Sequence, residues 1–120
     1  MYKLRVKTHF DAAHYIRDYE GKCNREHGHR WEVEVIISGE KLDSKNILVD
    51  FSLVKKLLDI LLDTYLDHYQ LNERLGDPNV TAELLSKWIF DKIALGTRAN
   101  GLELESTTVW ESPDCGAEYS

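Results

Sequence analysis

Cross-links, excess positive charge and long apolar runs are all scarce in this chain. Two cysteines, Cys23 and Cys115, occur among 120 residues, too few for a disulfide framework. One bridge between them is compatible with the sequence. The rest of the chain needs no staple, so reduced thiols and a cytoplasmic location are the expectation. Lys and Arg number 15 against 21 Asp and Glu, a formal charge of -6. There is therefore no global basic footprint for nucleic acid. The stretch Met1 to Lys7 alternates in character and lacks the apolar core of a signal peptide. No apolar run is long enough to span a bilayer, so no membrane partner is expected. Gly-rich phosphate loops, nucleophile elbows and CxxC pairs are also missing. What is present, 42% hydrophobic and 30% charged residues, suits one domain over residues 1–120 with a real core.

Periodicity supplies the elements. Tyr2, Leu4, Val6, Thr8 and Phe10 alternate with Lys3, Arg5, Lys7 and His9, a half-buried strand. Residues 15–26 are polar and read as a loop. From His27 to Gly39 a second alternation puts Trp31, Val33, Val35 and Ile37 on one face. Residues 41–45 read as a turn, with Asn46 to Val49 as a short return strand. Asp50 or Ser52 caps a helix over 52–66, whose stripe is Val54, Leu57, Leu58, Leu61, Leu62 and Tyr65. Residues 72–80 are expected to be a loop. Thr81 caps a second helix with Glu83 in its first turn, and Gly96 is its expected stop. Residues 102–111 and 115–119 return to strand around Ser112-Pro113-Asp114. The order ββααββ predicts an α+β fold: a four-stranded antiparallel sheet with two helices on one face. Its open edges favour pairing between subunits.

The chemistry concentrates at Cys23-Asn24-Arg25-Glu26-His27-Gly28-His29. On a strand that starts at His27, both histidines share the Trp31 face. A catalytic zinc takes neutral imidazoles at about 2.0–2.1 Å, with three protein ligands and one open position. His14, soon after the first strand, is the third candidate. Solvated loop histidines are the bland alternative. Cys23 stays open between a fourth ligand of a closed zinc site and a thiolate base, since Zn²⁺, Lys22 and Arg25 would each favour the thiolate. Cys115 reads as an inert residue of an edge strand. Asp67-His68 fits either a histidine placed for the helix dipole or an Asp-oriented histidine for proton transfer. Glu111 fits either the surface or a guanidine-like ring edge, which a carboxylate selects through paired hydrogen bonds. Trp31, Trp88 and Trp110 read as core or interface.

In order along the chain, Phe10-Asp11-Ala12-Ala13-His14, Cys23-x-x-x-His27-Gly28-His29, Leu66-Asp67-His68, Thr81-Ala82-Glu83 and Trp110-Glu111 resemble the 6-pyruvoyltetrahydropterin synthase family. The resemblance covers essentially the whole chain. It implies the tunnelling fold, with subunit sheets joined into a barrel, commonly a homohexamer built as a dimer of trimers. It implies Zn²⁺ on His14, His27 and His29, Cys23 as catalytic base, and Asp67 and His68 as proton relay. Glu111 would anchor the pterin ring, with Thr81 and Glu83 close to that pocket. The three-residue spacer after Cys23 resembles the bacterial-type 6-carboxytetrahydropterin synthase of queuosine and other 7-deazapurine pathways. The implied substrate is 7,8-dihydroneopterin triphosphate, and the implied products are 6-carboxytetrahydropterin, acetaldehyde and triphosphate. Lys22, Arg25 and Arg17 are loop candidates for receiving the triphosphate. One departure is Asp11, where the family often carries Glu. The alternatives are 6-pyruvoyltetrahydropterin synthase proper, which eliminates triphosphate without C–C cleavage, and a non-catalytic zinc-binding oligomer with Cys23 as fourth ligand.

Overall fold

The structure, a computed structural model, describes residues 1–17, 20, 21 and 24–120. Lys22 and Cys23 lie outside the described residues. Two long strands, β1 (Tyr2–His14) and β2 (His27–Gly39), pair antiparallel along their whole length. Then follow α1 (Phe51–Tyr65), α2 (Leu71–Leu75), α3 (Ala82–Ala99), β3 (Glu103–Trp110) and β4 (Gly116–Tyr119). The sheet order is β1-β2-β3-β4, all antiparallel. This is the expected ββααββ sheet with helices on one face, plus one extra helical turn.

Alternation decides what is buried. Val6, Phe10, Ala12 and His14 of β1 and Trp31, Val33, Val35 and Ile37 of β2 point to the helix side. Trp31 is fully buried, lies parallel to Phe10 with centroids 6.1 Å apart, and donates its indole N–H to Ala12 O at 3.2 Å. Truncating such a ring to Ala costs about 3–5 kcal/mol. α1 lays Val54, Leu58 and Leu62 on this face, and α3 adds Leu85 and Ile89. A register shift between Ile36 and Ile37, opposite β3, adds one residue to β3 there.

The helix caps follow the sequence. The Asp50 carboxylate accepts Ser52 N–H at 2.8 Å, and Thr81 Oγ1 accepts Leu84 N–H at 3.1 Å. Four expectations need correction. Asn46 to Val49 is not a strand: the Asp43 carboxylate accepts the N–H groups of Lys45 and Ile47, and this turn consumes the donors a strand would need. The 72–80 loop begins with α2, capped by the Gln70 side chain on Glu73 N–H and ended by Gly76 at φ 67°. α3 runs through Gly96 to Ala99, because one interior glycine costs only about 1 kcal/mol. The left-handed residue that follows it is Gly101, at φ 71°. Cys115 is exposed and sits just before β4 rather than in it. Among the described residues, no helix is long and apolar enough to cross a membrane.

Candidate active site

β1 continues four residues past Phe10, and that extension builds the site. His14 faces His27 across the β1–β2 pair, and Ala12 faces His29. The parity that buries Phe10 and Trp31 therefore turns His14, His27 and His29 to the same side, at the end of the core. Their ring centroids lie 4.5 to 5.1 Å apart. The rings of His14 and His29 both stand edge-on to Trp31. The parity of β3 brings a fourth group. Val109 is buried, so Glu111, two residues on, turns inward as well. Donor atoms of the three histidines and Glu111 all lie within 4.8 Å of one another.

Backbone carbonyls fix two of the imidazoles. His14 Nδ1 donates to Val80 O at 2.7 Å, and His27 Nδ1 donates to Arg25 O at 2.6 Å. A carbonyl only accepts, so a proton sits on Nδ1, and in the neutral tautomer this selects, Nε2 carries the lone pair. His14 is fully buried, and burial pushes its imidazole down from the ordinary value, against the pull of the Val80 carbonyl. Burial lowers His29 in the same way, opposed by the charge of Glu111. Buried Nε2 atoms of His14 and His29 have no hydrogen-bond partner. Three converging imidazoles, two of them oriented by carbonyls and two with an unpaired buried Nε2, all facing one carboxylate, are a donor set that fits a divalent metal of the zinc type.

A family profile described as 6-pyruvoyl tetrahydropterin synthase matches residues 3–120. The chain belongs to this family. It is 37% identical over 123 residues to the 6-carboxy-5,6,7,8-tetrahydropterin synthase of Synechocystis sp., covering 99% of this chain and 93% of that one. It is 36% identical to the protein of the same name from Bacillus subtilis, covering 98% and 84%. Its fold is similar to the structure of Caenorhabditis elegans 6-pyruvoyl tetrahydropterin synthase, with TM-score 0.86 at 23% identity over 99% and 94% of the two chains.

The second histidine group of this family member lies across an open cleft. Ala13, Glu26, His27, His29, His68 and Tyr69 are among its lining residues. Asp67 and His68 follow α1 and close the free edge of β1. Asp67 Oδ1 accepts Asp11 N–H at 2.9 Å, and His68 N–H donates to Asp11 O at 2.7 Å. His68 holds a left-handed backbone at φ 63°, which these two bonds overdetermine. Its Nδ1 is 2.7 Å from Asp67 Oδ2, and its side chain is 79% exposed. Burial works to raise the Asp67 carboxyl, but the Asp11 N–H and His68 outweigh it and hold it below the ordinary carboxylate value.

Other site candidates are placed as follows. Thr81 caps α3 next to Val80, the residue whose carbonyl orients His14. Glu83 stands exposed in the first turn of α3. Arg17 N–H donates to Pro78 O at 3.2 Å. Cys23 and Lys22 are outside the described residues. Two cleft residues carried no signal from spacing. Arg30 meets the Asp11 carboxylate through Nε at 3.0 Å and Nη2 at 3.2 Å, and both line the cleft. The guanidinium of Arg30 lowers the Asp11 carboxyl. Cross-strand adjacency of positions 11 and 30 is the signal that finds this pair.

Proposed function

We propose that this protein is a zinc-dependent 6-carboxy-5,6,7,8-tetrahydropterin synthase. It converts 7,8-dihydroneopterin triphosphate to 6-carboxytetrahydropterin, acetaldehyde and triphosphate. The observation that carries the reading is the convergence of His14, His27 and His29, with the Nε2 atoms of His14 and His29 orphaned, in a chain whose curated relatives bear that name.

The three histidines hold Zn²⁺, and the ion when bound supplies Lewis acidity to the substrate's side-chain hydroxyls. Glu111 receives the ring edge of the pterin, because both of its oxygens suit paired N–H donors. Cys23, four residues before His27, acts as the thiolate base that takes a proton from the substrate side chain. Asp67 fixes the tautomer of His68, a cleft-lining residue, through Nδ1, and Nε2 takes and returns protons. Thr81 and Glu83 border the ring pocket. The edge of β4 and the part of the β1 edge before Asp11, which Asp67 and His68 leave open, pair with other copies, giving a homohexamer as a dimer of trimers. Queuosine biosynthesis in the cytoplasm is the expected setting.

The rival product, a 6-pyruvoyl pterin, needs the same residues without C–C cleavage. Mass analysis of the products formed by zinc-loaded protein from dihydroneopterin triphosphate separates the two. The expected result is stoichiometric acetaldehyde with a carboxylated pterin. A pyruvoyl product without acetaldehyde overturns the assignment.

A further inference from the structure

The position of Glu111 conflicts with a single job. As ring anchor it needs both carboxylate oxygens for the pterin N–H groups. Yet Oε1 lies 3.0 Å from His29 Nε2, 3.4 Å from His14 Nε2 and 3.9 Å from His27 Nε2. For His14 and His27, whose Nδ1 protons are committed to carbonyls, these are contacts between a carboxylate and the nitrogen that holds the lone pair of the metal-binding tautomer. Two acceptors repel unless a cation lies between them. The spacing is also that of co-ligands: tetrahedral bonds of about 2.0–2.1 Å put ligand atoms roughly 3.3 Å apart, and the three distances bracket that edge. Apart from the histidines, the Glu111 side chain has no partner among the described residues. The backbone is what holds it, through its N–H to Cys115 O at 3.0 Å, and its side chain is 31% exposed.

We propose that Glu111 exchanges partners. In the pterin-free protein its carboxylate is the fourth ligand of the metal held by His14, His27 and His29. On pterin binding it leaves the metal for the ring edge and vacates the coordination position that the side-chain hydroxyls then take. The metal is thus saturated while the enzyme waits, and ring recognition opens the position that the chemistry needs. This rests on the proposed function above, and it adds that recognition and activation share one carboxylate.

Cobalt in place of zinc reads the exchange directly, because its visible spectrum reports coordination independently of turnover. The probe is unsubstituted pterin, which has the ring edge but no side-chain hydroxyls. The full-length protein should show a four-coordinate cobalt spectrum that shifts when pterin is added. Glu111→Ala should bind cobalt at least about tenfold more weakly, the lower end of the losses seen when a metal-site partner is removed. Its spectrum should differ from that of the parent and should not respond to pterin. Equal affinity and identical spectra in the two proteins overturn the exchange, as does a thiolate-to-cobalt charge-transfer band, which makes Cys23 the fourth ligand. A pterin that quenches its own fluorescence on binding but leaves the parent spectrum unchanged overturns it too. Failure of both proteins to bind cobalt overturns the metal reading, and the exchange falls with it. Failure to bind pterin sinks the proposed function, while the Glu111→Ala comparison still decides the ligand.

Discussion

The His14/His27/His29 cluster and the Asp67–His68 pair use one side chain in opposite surroundings. The cluster sits at the end of the core, on the face that buries Phe10 and Trp31. Backbone carbonyls orient His14 and His27 without adding charge, and one carboxylate, Glu111, faces all three rings. His68 stands mostly in solvent, in a left-handed conformation held by two bonds to Asp11, with a carboxylate on Nδ1. Burial that outweighs the pull of Glu111 on His14 and His29 favours a neutral ligand. Exposure with a carboxylate partner suits a group that gains and loses protons. Environment rather than residue type divides the two roles.

The largest test of this division sets His29→Ala against His68→Ala. The first should lose both metal, measured by atomic absorption after dialysis, and turnover. The second should keep its metal and lose turnover by about 10²–10⁴-fold, the range for a proton-transfer group. Loss of metal in both variants would merge the two sites into one.

A smaller effect is expected for Asp67→Asn. The Asp67 carboxyl is held below its ordinary value, so it contributes stability above the ordinary carboxylate range, and this is lost as pH falls through the lowered value. The variant should lose less turnover than His68→Ala. Its acid unfolding profile, followed by circular dichroism, should be flatter at low pH than the parent's. An unchanged acid limb would mean that the pair contributes nothing to holding β1.

The smallest effect is expected for Thr81→Ala, at about 1 kcal/mol in chemical denaturation. The cap adjoins Val80, whose carbonyl orients His14. Unchanged metal affinity would show that the carbonyl is placed by the core. A weakened affinity would tie the cluster to the start of α3.

Much of the site is legible in the chain itself. Strict alternation from Phe10 to His14 and from His27 to Trp31 leaves the histidines no other face. Trp31 and Phe10, as large apolar residues, decide which face that is. The Asp67-His68 dipeptide is visible as a pair, but its use is not, because the strand edge that holds it lies 56 residues earlier. Asn46 to Val49 and Gly96 depart from their local pattern for one reason. Hydrogen bonds that the local pattern does not contain win, in one case those of the Asp43 side chain and in the other those of a helix long enough to absorb one glycine.

By itself the sequence determined the strand faces, a helix start at Thr81 and one at Asp50 or Ser52, and the three histidines of the cluster, because periodicity and capping act over a few residues. Only the tertiary structure decided that Glu111 reaches those histidines, that Asp67 and His68 seal the β1 edge, and that Asp11 and Arg30 share the cleft. Each of these contacts joins separate segments, and its geometry is set by how the sheet and helices pack rather than by spacing along the chain.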